Sequence, residues 1–310
     1  MTHETPVIDF HAHLPVGWTG GRAKKRGRGR RAQDPVAAYA EKRWERMKRE
    51  WDLPEPDWSL TSDELIARWA AEVDRHGLRC VNFITGGGND SLAAAVRAHP
   101  GRFRGFAHHD PEAPGALDEL RRAVEGLGLC GYKIIGPEVR SPLQDERFEP
   151  LWRYCEERRL PVLIHFGLLG HAGGIVSGQN ISPLAVAGVA AAHPALPLVV
   201  PHFGCGYWQE LLHLAWACPN VYVDTSGSNQ WMRWMPYPLD LESLFRKAYE
   251  TLGPGRILFG TDSSWFPRGF AARYLQDQLR VCHWLNLPAA DIRKMFHDNA
   301  AALLGLPLAP

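Results

Sequence analysis

The chain has 310 residues, 45% hydrophobic and 22% charged, and its 35 basic and 34 acidic side chains leave a formal charge of +1. That balance belongs to an ordinary globular protein and excludes a disordered chain, a collagen-like fibre and a coiled coil. The near-neutral total gives no chain-wide footprint for nucleic acid or a membrane surface, and no apolar run reaches the roughly 18 residues that span a bilayer.

The first ten residues, MTHETPVIDF, lack a basic stretch followed by an apolar one, so a cytoplasmic protein is expected. Short apolar runs then recur along the chain. They are 7–10, 80–84, 103–107, 131–135, 161–165, 198–202, 220–224 and 256–260. Runs apolar on both faces suit a buried parallel sheet. Helical periodicity fills the intervals at 62–76, 114–128, 147–159, 182–193, 207–217, 241–252 and 271–286. Eight strands alternating with helices predict a single α/β domain, a (β/α)8 TIM barrel with its site at the C-terminal mouth.

One interval is too long. Residues 14–60 form an insertion after the first strand, with seven basic residues and no acid between Arg22 and Arg31. The basic run reads as a mobile, solvated tip. The following stretch, 36–51, reads as a helix whose Trp44 or Trp51 packs near the mouth or at a subunit interface. Six cysteines, at 80, 130, 155, 205, 218 and 282, form no CxxC pair and read as reduced thiols.

The chemistry is concentrated at strand ends. Asp9-Phe10-His11-Ala12-His13 closes strand one, and alternate side chains of a strand share a face, so His11 and His13 point the same way. Two imidazoles on one face can chelate a divalent metal. His165 closes strand five, His202 closes strand six and Asp262 follows strand eight. A strand buried on both faces has no ordinary use for such a terminus, and carboxyl ends of barrel strands converge on one mouth.

These residues, with Lys133 on strand four and Gly260-Thr261-Asp262, resemble the amidohydrolase superfamily. The tail from Met295 to Leu306 and the run Asn220 to Ser226 resemble its amidohydrolase-related branch, which includes the aminocarboxymuconate-semialdehyde decarboxylase group. The resemblance implies a metal held by His11, His13, His165 and Asp262, with His202 beside a bound water or the substrate. Imidazoles plus a carboxylate suit Zn²⁺, with Mn²⁺ as the alternative. Water at an open position would have its pKa lowered toward about 7. Asp262 would shuttle its proton and His202 would orient it.

The leading expectation is a metal-dependent hydrolase of a small amide, ester or lactone. The alternative is a non-oxidative decarboxylase of a small carboxylic acid. Lys133, His171, Trp231, Arg233, Trp265 and Arg268 are candidates for substrate binding, and they suit an anionic or aromatic small molecule. Lys133 is expected as an ammonium beside one metal rather than as a carbamate bridging two. No membrane or nucleic-acid partner is expected, and a homodimer is allowed for. His3, His76, His99, His193, His213, His283 and His297 are expected on the surface or at helix ends.

Overall fold

The computed structural model describes residues 5–16, 35–50, 53–167 and 178–308. The basic run 22–31, Trp51 and His171 lie outside these residues. Eight parallel strands follow one another in chain order. They are β1 (Ile8–His13), β2 (Cys80–Thr85), β3 in two pieces (Phe103–Gly105 and Ala107–His108), β4 (Tyr132–Ile135), β5 (Val162–His165), β6 (Leu198–Val200), β7 (Val221–Asp224) and β8 (Ile257–Leu258). Each pairs with the next in register, except that the β1–β2 pairing shifts between Asp9 and His13.

The ring closes between the last strand and the first. Phe10 N donates to Phe259 O at 3.0 Å, Asp262 N to His11 O at 2.8 Å and His13 N to Ser263 O at 2.7 Å. A buried carboxylate reinforces this seam. Asp9 accepts from Thr261 N at 3.0 Å, from the Thr261 hydroxyl and from His11 N at 3.2 Å. Burial pushes the Asp9 carboxyl up to about 7, although these donors favour its charged form.

The break in β3 has a packing cause. Phe106 turns inward and is fully buried, and Gly131, just before the next strand, makes room for its ring. A Cβ at Gly131 would come within 2.4 Å of that ring. Phe106 belongs to an inner cluster with Ile8, Phe10, Ile84, Leu163, Val199 and Leu258, which fills the barrel. Leu163 and His165 share a face of β5, so the interior that is apolar at Leu163 becomes polar at the mouth. Ala300, Ala301 and Leu304 of the closing helix pack on the same cluster.

The helices bury one stripe each against the outside of the strands. After α1 (Pro35–Glu50) in the insertion comes α2 (Ser62–His76). Thr61 and Glu64 form a capping box at the start of α2, and Gly77 ends it in the left-handed conformation that glycine adopts without strain. Leu65, Trp69, Ala70 and Val73 give α2 its buried stripe. A helix that the sequence reading left out, α3 (Asn89–Ala98), joins β2 to β3. The helix expected over 36–51 is present as α1. No helix among the described residues is long and apolar enough to cross a membrane.

Two histidines expected on the surface or at helix ends are buried, His193 as the C-cap of the helix Ala187–Ala192 and His297 within the turn Lys294–Asp298. His193 is held between Glu156 (Nδ1, 2.9 Å) and Glu149 (Nε2, 3.0 Å), and His297 lies against Asp298 at 2.7 Å. Helical position alone did not reveal the burial of His297, which lies on the inner side of its helical turn.

The seam predicts a contrast between two glycines. A Cβ at Gly260 would stand 2.8 Å from His11 Cβ and 3.0 Å from Ser226 Cβ, whereas one at Gly255 would meet open space. Gly260→Ala should therefore cost about 1–3 kcal/mol by overpacking. Gly255→Ala should cost no more than about 0.5 kcal/mol. Urea denaturation of the two variants checks this.

Candidate active site

The residues at the strand ends meet at one mouth. His11 is buried at the end of β1, and its Nδ1 lies 2.7 Å from Asp224 Oδ2. Read as a donor, that nitrogen leaves the Nε2 lone pair facing the mouth. Burial lowers the pKa of His11 to about 4 against the pull of Asp224, so the ring is neutral near pH 7. A neutral imidazole is the form that binds metal. His13 makes a similar arrangement with a hydroxyl, its Nδ1 lying 2.6 Å from Thr85 Oγ1.

Both Nε2 atoms face the same carboxylate oxygen. Asp262 Oδ1 lies 3.0 Å from His13 Nε2 and 3.7 Å from His11 Nε2. Burial alone would raise the Asp262 carboxyl, but the His13 hydrogen bond and the neighbouring imidazoles outweigh it and hold the group well below the usual carboxylate range. Such a convergence of imidazole and carboxylate donors fits a divalent cation. Donor atoms of His11, His13 and Asp262 all lie within 4.8 Å of one another, as do those of His11, His202 and Asp224.

His202 stands beside this group. Its ring centroid is 4.8 Å from that of His11 and 5.2 Å from that of His165. Its Nδ1 lies 2.8 Å from Ser226 Oγ and 3.2 Å from Ser226 O. His202 and Asp262 both have positive φ, 56° each, a region that non-glycine residues rarely occupy. Strain of that kind persists where surrounding contacts over-determine it, as the seam and Asp224 do here. Gly227 faces the gap between them, where a Cβ would stand 3.3 Å from His202 Nδ1 and 3.7 Å from Asp262 Oδ2.

Asp224 is the residue that the sequence reading passed over. It is fully buried and accepts from His202 N at 3.1 Å, from Ser226 N at 3.0 Å and from the Ser226 hydroxyl. Burial would raise its carboxyl, but its pairing with His11 and the Ser226 hydroxyl hold it well below the usual range. The signal was available, since a carboxylate ends an apolar strand there as Asp262 follows another.

The remaining candidates divide. A cavity of about 780 Å³ opens over the donors, lined among others by His11, His13, His165, His202, Asp262 and Lys133. Lys133 is 3% exposed. Burial lowers its pKa to about 7, against which Asp224, Asp262 and Glu138 favour the charged form. His108 also reaches the cavity, with Nδ1 at 3.1 Å from Lys133 O. Trp265, Arg268 and Trp44 line it as well, as expected for Trp44 near the mouth.

Trp231 and Arg233 do not line it. Trp231 is buried, its Nε1 donating to Asn229 Oδ1 at 3.3 Å, and its side chain packs the loop onto the barrel. Arg233 lies on the exposed side of the turn Gln230–Trp234. The turn buries one side chain and exposes the other, which strand order alone does not reveal.

Comparison with known proteins agrees with this architecture. The amidohydrolase family profile matches residues 8–306. Gamma-resorcylate decarboxylase from Polaromonas sp. is 27% identical over 264 residues, 70% of this chain and 75% of that protein. A 5-carboxyvanillate decarboxylase from Novosphingobium aromaticivorans, solved with manganese and 3-methoxy-4-hydroxy-5-nitrobenzoic acid, aligns with a TM-score of 0.64 at 17% identity over 98% of each chain. A probable 2-pyrone-4,6-dicarboxylic acid hydrolase from Acinetobacter baumannii, solved with citric acid, aligns with a TM-score of 0.61 at 14% identity over 97% of this chain and 99% of that one. With its barrel, its strand-end donors and a match across nearly its whole length, this chain belongs to the amidohydrolase family.

Proposed function

We propose that the protein is a metal-dependent, non-oxidative decarboxylase of a small aromatic carboxylic acid. The observation that carries this reading is the similarity to gamma-resorcylate decarboxylase across 264 residues. The geometry supplies what the reaction needs. Both reactions expected from the sequence, hydrolysis and decarboxylation, occur among the relatives, and the curated relative favours the second.

In this reading His11, His13, His165 and Asp262 hold one divalent metal, Mn²⁺ or Zn²⁺. When bound, such a metal would supply positive charge that favours an anionic substrate. The chain supplies the rest. Lys133, as an ammonium, draws the anionic substrate to the floor of the cavity. A proton is placed on the ring carbon that bears the carboxylate. The carbon–carboxylate bond then breaks, its electron pair returns to the ring, and carbon dioxide leaves.

Asp262 would carry that proton, first taking it up from solvent at the mouth and then passing it to the ring carbon. Its carboxyl is held well below the usual range, so once protonated it is a strong donor toward carbon. His202, fixed through Ser226 and its own strained backbone, orients the reacting groups beside Asp262. Asp224 fixes the His11 ring so that its Nε2 stays turned toward Asp262, where it could help hold a metal. Apolar walls keep bulk water from the reacting carbon, which strengthens each of these charges.

The direct test is carbon dioxide release. Protein loaded with Mn²⁺ or Zn²⁺ should release it from gamma-resorcylate or a related hydroxybenzoate, and exhaustive chelation should abolish turnover. Turnover of a lactone such as 2-pyrone-4,6-dicarboxylate with no carbon dioxide released from any acid would favour the hydrolase. Single substitutions separate the roles. His202→Ala should retain metal and lose about 10²–10⁴ in kcat. Asp224→Asn should weaken metal affinity about 10–100-fold, read by titration with a competing chelator.

A further inference from the structure

The part of the cavity lined by the insertion is mainly apolar, with Glu55 as its one charged residue among those described. Trp44 and Met47 of α1, Leu53 and Trp58 of the segment that follows, and Trp265 after β8 form an outer wall. Most of it comes from the insertion rather than from the barrel. It is fastened in place without a ligand. Trp265 Nε1 donates to Pro54 O at 2.9 Å, and Asp57 N donates to Phe266 O at 2.8 Å. The rings of Trp44 and Trp265 meet edge to face, with centroids 6.4 Å apart at 72°. Lys48 is buried between Glu45, at 2.8 Å, and Glu55, so the helix and the segment after it are pinned together.

The charges near this wall are already engaged. Glu55 is paired with Lys48. Arg268 donates to the carbonyl of Asp262 at 2.7 Å and lies 5.4 Å from the Trp265 ring centroid, which holds it toward the floor. What remains outward is an apolar, mainly aromatic chamber. A cavity of about 780 Å³ takes a drug-sized ligand, whereas a single-ring acid on the metal would leave the chamber as exposed apolar surface.

We propose that the substrate carries a second ring, or an apolar group of similar bulk, on the side away from the reacting carboxylate, and that the insertion selects it. The inference rests on the decarboxylase reading above for the orientation of the carboxylate. The second ring lies against Trp44 and Trp265, where aromatic contacts add to apolar burial.

The test compares salicylate with 4-phenylsalicylate, whose second ring lies para to the carboxylate, on Mn²⁺-loaded full-length protein. Binding is read by quenching of tryptophan fluorescence, and carbon dioxide release is followed in parallel. The two-ring acid should bind at least about tenfold more tightly. Trp44→Ala should shrink that ratio to within about twofold, whereas Trp44→Phe should keep most of it. Met47→Trp, which fills the chamber, should reverse the preference, an outcome that misfolding does not produce. Equal affinities in the unmodified protein, or equal weakening of both acids by Trp44→Ala, would overturn the proposal. A size preference without carbon dioxide release would leave the chamber standing and remove the reaction. Carbon dioxide release without a size preference would do the reverse.

Discussion

The last strand of the barrel meets the first through three main-chain hydrogen bonds and the carboxylate of Asp9, which reaches across to Thr261. That seam sets the positions of His11, His13 and Asp262 together, because the bond from Asp262 N to His11 O is itself part of the closure. Residues 249 positions apart, His13 and Asp262, reach 3.0 Å in this way. Gly260 is needed there because any Cβ would push on His11. The barrel does not merely carry the site, since closing the ring is what assembles the donors.

Electrostatics follows from that placement. The neutral imidazole of His11 stands beside Asp224 and Asp262, two carboxylates held ionised, and Lys133 lines the same cavity. His11 is kept neutral by burial yet fixed by Asp224, a combination that prepares one lone pair for a cation. Two of the groups nearest the reacting position, His202 and Asp262, are strained in their backbones. Their neighbours hold them, so the cost is met by the stability of the whole barrel.

Much of this was legible in the sequence, for particular reasons. The strands were visible because a parallel sheet covered on both faces needs apolar runs, and the donors were visible because they interrupt those runs at equivalent ends. Asp224 shares that pattern but went unassigned, since its partner His11 lies 213 positions away and no local spacing links them. Trp231 and Arg233 are not among the residues that line the cavity. Their loop follows the correct strand, but its turn sends one side chain into the packing and the other to solvent. Trp44 was expected near the mouth from the start point of the insertion. That the insertion also supplies Met47 and Leu53 to one wall depends on contacts that periodicity does not encode.

The central claim is a single cation centre built on the seam, with Lys133 as an ammonium beside it. Anomalous diffraction at the manganese edge, from crystals grown with Mn²⁺, tests it most directly. The account predicts one peak per chain, within bonding distance of His11, His13 and Asp262, and an unmodified Lys133 side chain. Two peaks bridged by a carbamylated Lys133, or one peak away from these three residues, would contradict it.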